Sequence, residues 1–211
     1  MIPRRRMLGG FVVSAAGFSL SRLSVAAALA PTPAQTTGPF YPLALPRDSD
    51  NDLIHVAGRS GTAKGTVALI SGRILDPEGR PVTGARVEIW QCDANGRYHY
   101  VRDDRAGPPP DENFQGYGQT TTGTSGGYRF RTIRPVAYPG RTPHIHFAVS
   151  AAGVPRLVTQ MYVAGEPQNK HDGVLMGVRD PAARSRVIVA LRPASEAEAG
   201  ALAGIFDIVV G

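Results

Sequence analysis

One cysteine stands among 211 residues, so no internal disulfide can form even in an oxidising compartment, and no pair of thiols is available to hold a metal. That residue, Cys92 in EIWQCD, reads as a small buried hydrophobe. A surplus of basic charge is also largely missing. The formal charge is +6, but Arg4, Arg5, Arg6 and Arg22 lie in the first thirty residues with no acidic residue among them, and the remainder holds 19 basic against 17 acidic side chains. Nothing in that balance supports a nucleic-acid partner. No long uninterrupted apolar run occurs either: FVVSAAGFSL is broken by Ser14 and Ser19 and followed by Ser21 and Arg22, so no stable membrane span is expected. There is no internal repeat, and only ASEAEAGALAG, residues 194–204, favours a helix.

What the first thirty residues do carry is the pattern of an export signal: three arginines, an apolar core, and small residues ending in Ala28-Leu29-Ala30. RRRML resembles a twin-arginine signal, a route known for exporting folded proteins. Cleavage after Ala30 would release residues 31–211 into the periplasm or the extracellular space.

Residues 31–66, rich in proline, glycine and threonine, read as an extended arm that lies along a surface or reaches a neighbouring subunit, which suggests a homo-oligomer. From residue 67 onward the pattern is β. VALISGRIL, ARVEIWQCD, GYRFRTIRP, HIHFAVS, RLVTQMYVA, SRVIVALRP and IFDIVV are short, rich in β-branched or aromatic residues, and bounded by turn formers such as DPEGRPVTG. Seven such runs predict an all-β fold, an antiparallel β-sandwich over residues 67–211 with long loops. His99–Gln119 and Glu166–Arg184 resist a strand reading. Irregular stretches of that length inside a compact domain are commonly functional, and both flank the segment that carries the chemistry.

That segment is PGRTPHIHF, residues 139–147. On a strand, His144 and His146 project to one side and Ile145 and Phe147 to the other. Neutral imidazoles in that position can ligate a metal, although a polar, solvated sheet face carries such pairs too. Neither His55 nor His171 has a spacing that completes a site. Two tyrosines are better placed: Tyr98, closing the ARVEIWQCD strand, and Tyr138, in the PVAYPG turn six residues before His144. A tyrosine is neutral at pH 7, so binding as phenolate needs a strong Lewis acid, and ferric iron suits that better than zinc. Each tyrosine alone is equally consistent with an amphipathic residue at a sheet edge. Trp90, opposite in alternation to Val87 and Ile89, reads as packing.

GPFYP (38–42), GRILDPEGRPVTGARVEIWQCDANGRYHY (72–100), GYRFRTIRPVAYPGRTPHIHF (127–147), LVTQMY (157–162) and FDIVV (206–210) together resemble the intradiol ring-cleavage dioxygenases, in particular the iron-bearing chain of their protocatechuate-cleaving branch. The ordered set covers most of residues 36–211. The resemblance implies a non-haem Fe(III) held by Tyr98, Tyr138, His144 and His146, with Arg141 and Gln160 at the catalytic positions. It implies a catechol-type substrate that displaces Tyr138, dioxygen as co-substrate, and a muconate-type diacid as product. Arg141 would stabilise charge developing on the substrate, or serve only as a turn or ion-pair residue. Gln160 would orient the substrate, or satisfy buried backbone.

Two departures from the family stand out. The interval from Tyr138 to His144 is short, so the loop walling the pocket is reduced, and the helical N-terminal region of the catechol 1,2-dioxygenases has no counterpart. The pocket rim is then expected from residues 99–119 and from the arm before residue 60. Two rival readings share the scaffold. SGRILDPEGRPVTGARVEIW with TTGTSGGYRFRTI also resembles a transthyretin-like or carboxypeptidase-regulatory binding module, and the same ligands would serve a storage metal site without turnover.

Overall fold

Alternating burial along VALISGRIL, with Ala68, Ile70, Gly72 and Ile74 inward and Ser71 and Arg73 outward, makes it the first strand, β1 (Val67–Leu75). In the computed structural model, which describes residues 28–100 and 103–211, nine more strands follow. They are β2 (Arg86–Trp90), β3 (Tyr117–Thr121), β4 (Gly127–Ile133), β5 (His144–Ala151), β6 (Val154–Val163), β7 (Ile188–Val189), β8 (Arg192–Pro193), β9 (Leu202–Ile205) and β10 (Ile208–Val209). The segment read as an export signal lies outside the described residues except for its last three. Among the described residues, no helix is long and apolar enough to cross a membrane.

The strands form two five-stranded sheets. One has the order β10-β1-β9-β8 with β4 on the other side of β1, and the other has the order β3-β2-β5-β6-β7. Ile70, Phe130, Val87, Ile89, Ile145, Phe147 and Phe206 are buried in the core between them. The expected all-β sandwich is therefore present, but it is not purely antiparallel: β9 and β10 pair in parallel with β1, and β7 with β6. Parallel neighbours need a crossover. Between β6 and β7 it contains a 3-10 turn (Pro167–His171) and two short helices, α1 (Gly173–Gly177) and α2 (Pro181–Ser185), where irregular chain was expected. The helix-favouring stretch 194–204 forms turns and then enters β9, because pairing with β1 outweighs its local propensity. The 99–119 segment likewise ends in β3.

Residues 31–66 contain no helix and no named strand. They cover part of the second sheet and then run to the first, held by backbone bonds from Gln35 N to Val158 O of β6 (2.8 Å) and from Leu53 N to Arg131 O of β4 (2.7 Å). One side-chain contact fastens the strap. Glu88, 3% exposed, accepts bonds from Tyr41 Oη (2.7 Å) and Tyr117 Oη (2.6 Å) and faces Arg86 and Arg156.

Burial pushes the Glu88 carboxyl upward, but the two hydroxyls and two guanidinium groups outweigh it and hold the group below its ordinary value of 4.5. Its contribution to stability is therefore present above pH 4.5 and is lost as pH falls through the depressed folded value. Glu88→Gln, measured by denaturant unfolding, is expected to cost about 1–3 kcal/mol near neutral pH. It should also flatten the acid limb of the stability profile.

Candidate metal centre

The second sheet is covered on both faces, and β5 is buried from His144 through Val149. His144 and His146 are each 1% exposed, which rules out a solvated sheet face. Cross-strand pairing sets their neighbours: His144 stands opposite Tyr162, and His146 stands between Gln160 and Trp90. Trp90 does pack, as its alternation implied, and what it packs on is His146, with stacked rings 4.8 Å apart and 8° from parallel.

Two turns bring in the tyrosines. After β2 the Asp93 carboxylate accepts bonds from Asn95 N (2.8 Å), Arg97 N (2.9 Å) and Asp111 N (2.6 Å), and this tight loop returns the chain at Tyr98. Tyr138-Pro-Gly-Arg141 is a turn closed by Arg141 N donating to Tyr138 O (2.9 Å). Gly140 has φ +82°, so proline and a left-handed glycine occupy the places a type II turn requires. The four rings then follow one another in a closed circuit. Centroid distances are 5.8 Å from Tyr98 to Tyr138, 5.5 Å to His144, 4.9 Å to His146 and 6.5 Å back to Tyr98.

Protonation follows from the hydrogen bonds. His144 Nδ1 lies 2.6 Å from Thr142 O, so that nitrogen carries the proton and Nε2 presents a lone pair. The two Nε2 atoms are 3.2 Å apart, and His146 Nδ1 is buried without a partner. Whichever tautomer His146 adopts, one buried nitrogen is left unsatisfied or two lone pairs face each other. Metal–nitrogen bonds of about 2.1 Å at an angle of roughly 90–110° give a spacing of about 3.0–3.4 Å. Burial pushes His144 down to about 4, assisted by the charge of Arg141, and takes His146 well below its usual range. Both imidazoles are therefore neutral at pH 7, the state in which they could ligate a metal.

Tyr98 is 3% exposed, and its hydroxyl makes no well-formed hydrogen bond, only a weak polar contact with the Tyr138 hydroxyl. Burial raises it far above the ordinary phenol value; burial also raises Tyr138, with Arg141 acting in the opposite direction. Among the described residues, no group of three or more His, Cys, Asp or Glu could hold a metal, so a site here must use the phenols. Two buried imidazoles, an orphaned phenol and a second phenol beside them fit a strongly Lewis-acidic cation.

Arg141 and Gln160 also converge here. Arg141 Nη2 donates to Gln160 Oε1, while Nε donates to Asp172 Oδ2 at 2.9 Å. Gln160 Nε2 donates to Thr36 O (3.1 Å), so it both orients Arg141 and satisfies the arm's backbone. Asp172, fully buried, was not legible as a site residue. Its Oδ2 also accepts from Thr142 N (3.0 Å), and Oδ1 accepts from Val174 N and Leu175 N (3.0 and 2.9 Å), capping α1. An Asp-Gly before an apolar run can signal a cap, but nothing in it points to Arg141.

A cavity of about 420 Å³ opens beside these groups, lined by Tyr138, Gly140, Arg141, Thr142, Gln168 and His171. The rim differs from the one expected. It comes from residues 137–142 and from Gln168, His171 and Asp172, while Arg105 of the 99–119 segment lies over the Tyr138 ring.

Comparison with known proteins agrees with this geometry. A family model described as Dioxygenase matches residues 36–211. The protocatechuate 3,4-dioxygenase beta chain of Burkholderia cepacia is 41% identical over 170 residues, covering 76% of this chain and 71% of its own. A hydroxyquinol 1,2-dioxygenase of Corynebacterium glutamicum is 33% identical over 168 residues, covering 71% of this chain and 52% of its own, so the chain spans about half of that enzyme's length. The dioxygenase domain of a dioxygenase carbohydrate-binding protein fusion from Streptomyces sp. SirexAA-E superposes with a TM-score of 0.66 at 31% identity, covering 85% of this chain and 97% of that domain. A buried two-histidine, two-tyrosine cluster beside an open cavity, on a sandwich shared with these enzymes, places the chain in the intradiol ring-cleavage dioxygenase family.

Proposed function

We propose that this chain is a non-haem Fe(III) enzyme that acts outside the cytoplasm and cleaves a catechol-type ring between its two hydroxylated carbons. Both atoms of dioxygen would enter the product, a muconate-type diacid. The carrying observation is the closed circuit of Tyr98, Tyr138, His144 and His146, with a 3.2 Å Nε2 pair and a buried, unpartnered phenol. Those four residues would hold the iron, which when bound supplies the Lewis acidity that activates a catechol toward dioxygen.

The chain's own groups do the rest. Burial on all sides excludes bulk water from the histidines and Tyr98. Tyr138, half-buried at the cavity, would be able to take up a proton from an entering catechol hydroxyl once it has given up its own on iron loading. Arg141 brings a fixed positive charge to the mouth, where negative charge develops as the ring ketonises, and Asp172 and Gln160 hold it there. The cavity wall at Gly140 has no side chain, and a Cβ built there would meet nothing within 4 Å. With the short Tyr138–His144 interval, this favours several catechols over strict selectivity for one. Export is supported by the leader pattern; the arm packs along its own chain, so the homo-oligomer rests on the family resemblance, and light scattering can test it.

Iron-loaded protein is expected to show a broad tyrosinate-to-iron band that shifts with anaerobic catechol. Tyr98→Phe should displace or abolish that band and His146→Ala should abolish iron binding, whereas a colourless protein that binds no iron returns the fold to the binding-module reading. Because both phenols start neutral and burial disfavours their phenolates, loading should release two protons, one from each of Tyr98 and Tyr138. Iron affinity should accordingly rise with pH across the neutral range, as read by chelator competition. Asp172→Asn keeps an oxygen for the α1 cap but removes the charge facing Arg141. It should leave the band in place and lower kcat ~10-fold or more.

A further inference from the structure

Gly38-Pro-Phe-Tyr-Pro42 lies in the arm, outside the four strands and turns that build the centre, and has no part in the chemistry above. We infer that Phe40 is a positioning residue for the metal centre, an inference that rests on the iron reading of the site. Its ring stacks on Tyr98 at 4.3 Å and 9°, and it meets Tyr138 edge-on at 5.9 Å and 87°. Tyr98 and Tyr138 themselves meet at 5.8 Å and 84°. Phe40 thus closes a triangle of three aromatic rings in which two sides are the candidate phenol ligands. The Arg105 guanidinium lies 5.3 Å from the Phe40 centroid and 4.7 Å from that of Tyr138, and is itself held by the Asp103 carboxylate and by Gly96 O.

The arm holds this ring from both ends. Upstream, Gln35 Oε1 and Thr36 O accept bonds from Gln160 N and Nε2. Gly38, at φ +69°, runs so close to the imidazole that an added Cβ would sit 3.4 Å from His146 Cε1. Downstream, Tyr41 Oη is tied to Glu88. With the backbone fixed on either side, Phe40 presents its face to Tyr98 in one orientation. That stack blocks the Tyr98 phenol from swinging perpendicular to its own plane, so its oxygen keeps one place although no well-formed hydrogen bond aims it. A ligand that lacks a hydrogen-bonded second partner is here oriented by a ring instead. Phe40 is only partly buried and packs at the edge of the apolar cluster of Trp90, Cys92, Tyr98, Tyr117 and Ala148, so simple packing of that cluster is the alternative its test has to separate.

The test compares Phe40→Leu, Phe40→Tyr and Tyr41→Phe with the unaltered full chain. Each is loaded with ferric iron and followed by visible spectrum, chelator competition and thermal unfolding. Phe40→Leu is expected to displace or broaden the tyrosinate band and to weaken iron binding about tenfold or more, with a small change in Tm. Phe40→Tyr, which keeps the stacking face, should restore both readouts. Tyr41→Phe removes the downstream tie but leaves the Phe40–Tyr98 stack and the upstream bonds from Gln160, so it should lower Tm and move the band far less than Phe40→Leu does. If Phe40→Leu matches the unaltered protein in band and affinity, or if Tyr41→Phe moves the band as far as Phe40→Leu does, Phe40 only pins the arm and the inference is wrong. If the unaltered protein itself forms no band, the iron reading fails and the inference falls with it, a result distinguishable from the other two.

Discussion

Burial of both faces of β5 is the constraint on which the site depends. A strand in a two-layer sandwich normally hides one face and wets the other. Here Ile145, Phe147 and Val149 fill the space between the sheets, while His144, His146 and Ala148 on the opposite face are equally buried, under the arm and the turns carrying Tyr98 and Tyr138. A solvated histidine pair would be ordinary surface. The same pair without water is held neutral, leaves a ring nitrogen unpartnered, and becomes a ligand set in search of a cation.

The cover over that face has to be fixed without strands of its own, and polar bonds do this where apolar packing alone would let the arm slide. The buried Glu88 anchors Tyr41, and Gln160 and Val158 anchor Gln35 and Thr36. Val158 O and Gln160 N anchor through the backbone, whereas the Glu88 and Gln160 side chains lie on the same sheet face as the histidines. Gln160 therefore belongs both to the arm's attachment and, through Arg141, to the cavity mouth. Asp172 joins the mouth to α1 in the same way, so the charge at the cavity and the helical rim share one carboxylate.

Much of this was legible in the sequence where local pattern and chemistry coincide. β1 and β4 begin where the alternation begins, β1 with the boundaries of VALISGRIL, and the H-x-H spacing alone places His144 and His146 on one face. The Tyr-Pro-Gly-Arg turn was likewise readable. What escaped was set by distant partners. The stretch 194–204 has helical composition, yet β9 is recruited by β1 across more than a hundred residues, and no local propensity carries that information. β3 hid in a loop reading because YGQTT has little apolar alternation. Phe40 was visible only as part of the GPFYP motif and Asp172 not at all, because their contacts to Tyr98 and Arg141 span long separations and emerge only when the chain is folded.

The same burial that builds the site makes the metal-free fold an incomplete one. A polar group buried without a partner costs about 1–3 kcal/mol, and here the Tyr98 hydroxyl and a His146 nitrogen share one small volume. Well-packed apolar side chains in those places would avoid that cost. On the iron reading proposed above, the occupant that satisfies both at once is a cation bound by a phenolate and an imidazole. Ligation then removes the penalty from the folded state alone, because the unfolded chain offers no preformed site. Metal affinity and fold stability are thus two readings of one interaction energy, and residues that aim the donors, whether through a hydrogen bond to His144 or a stacked ring on Tyr98, act on both.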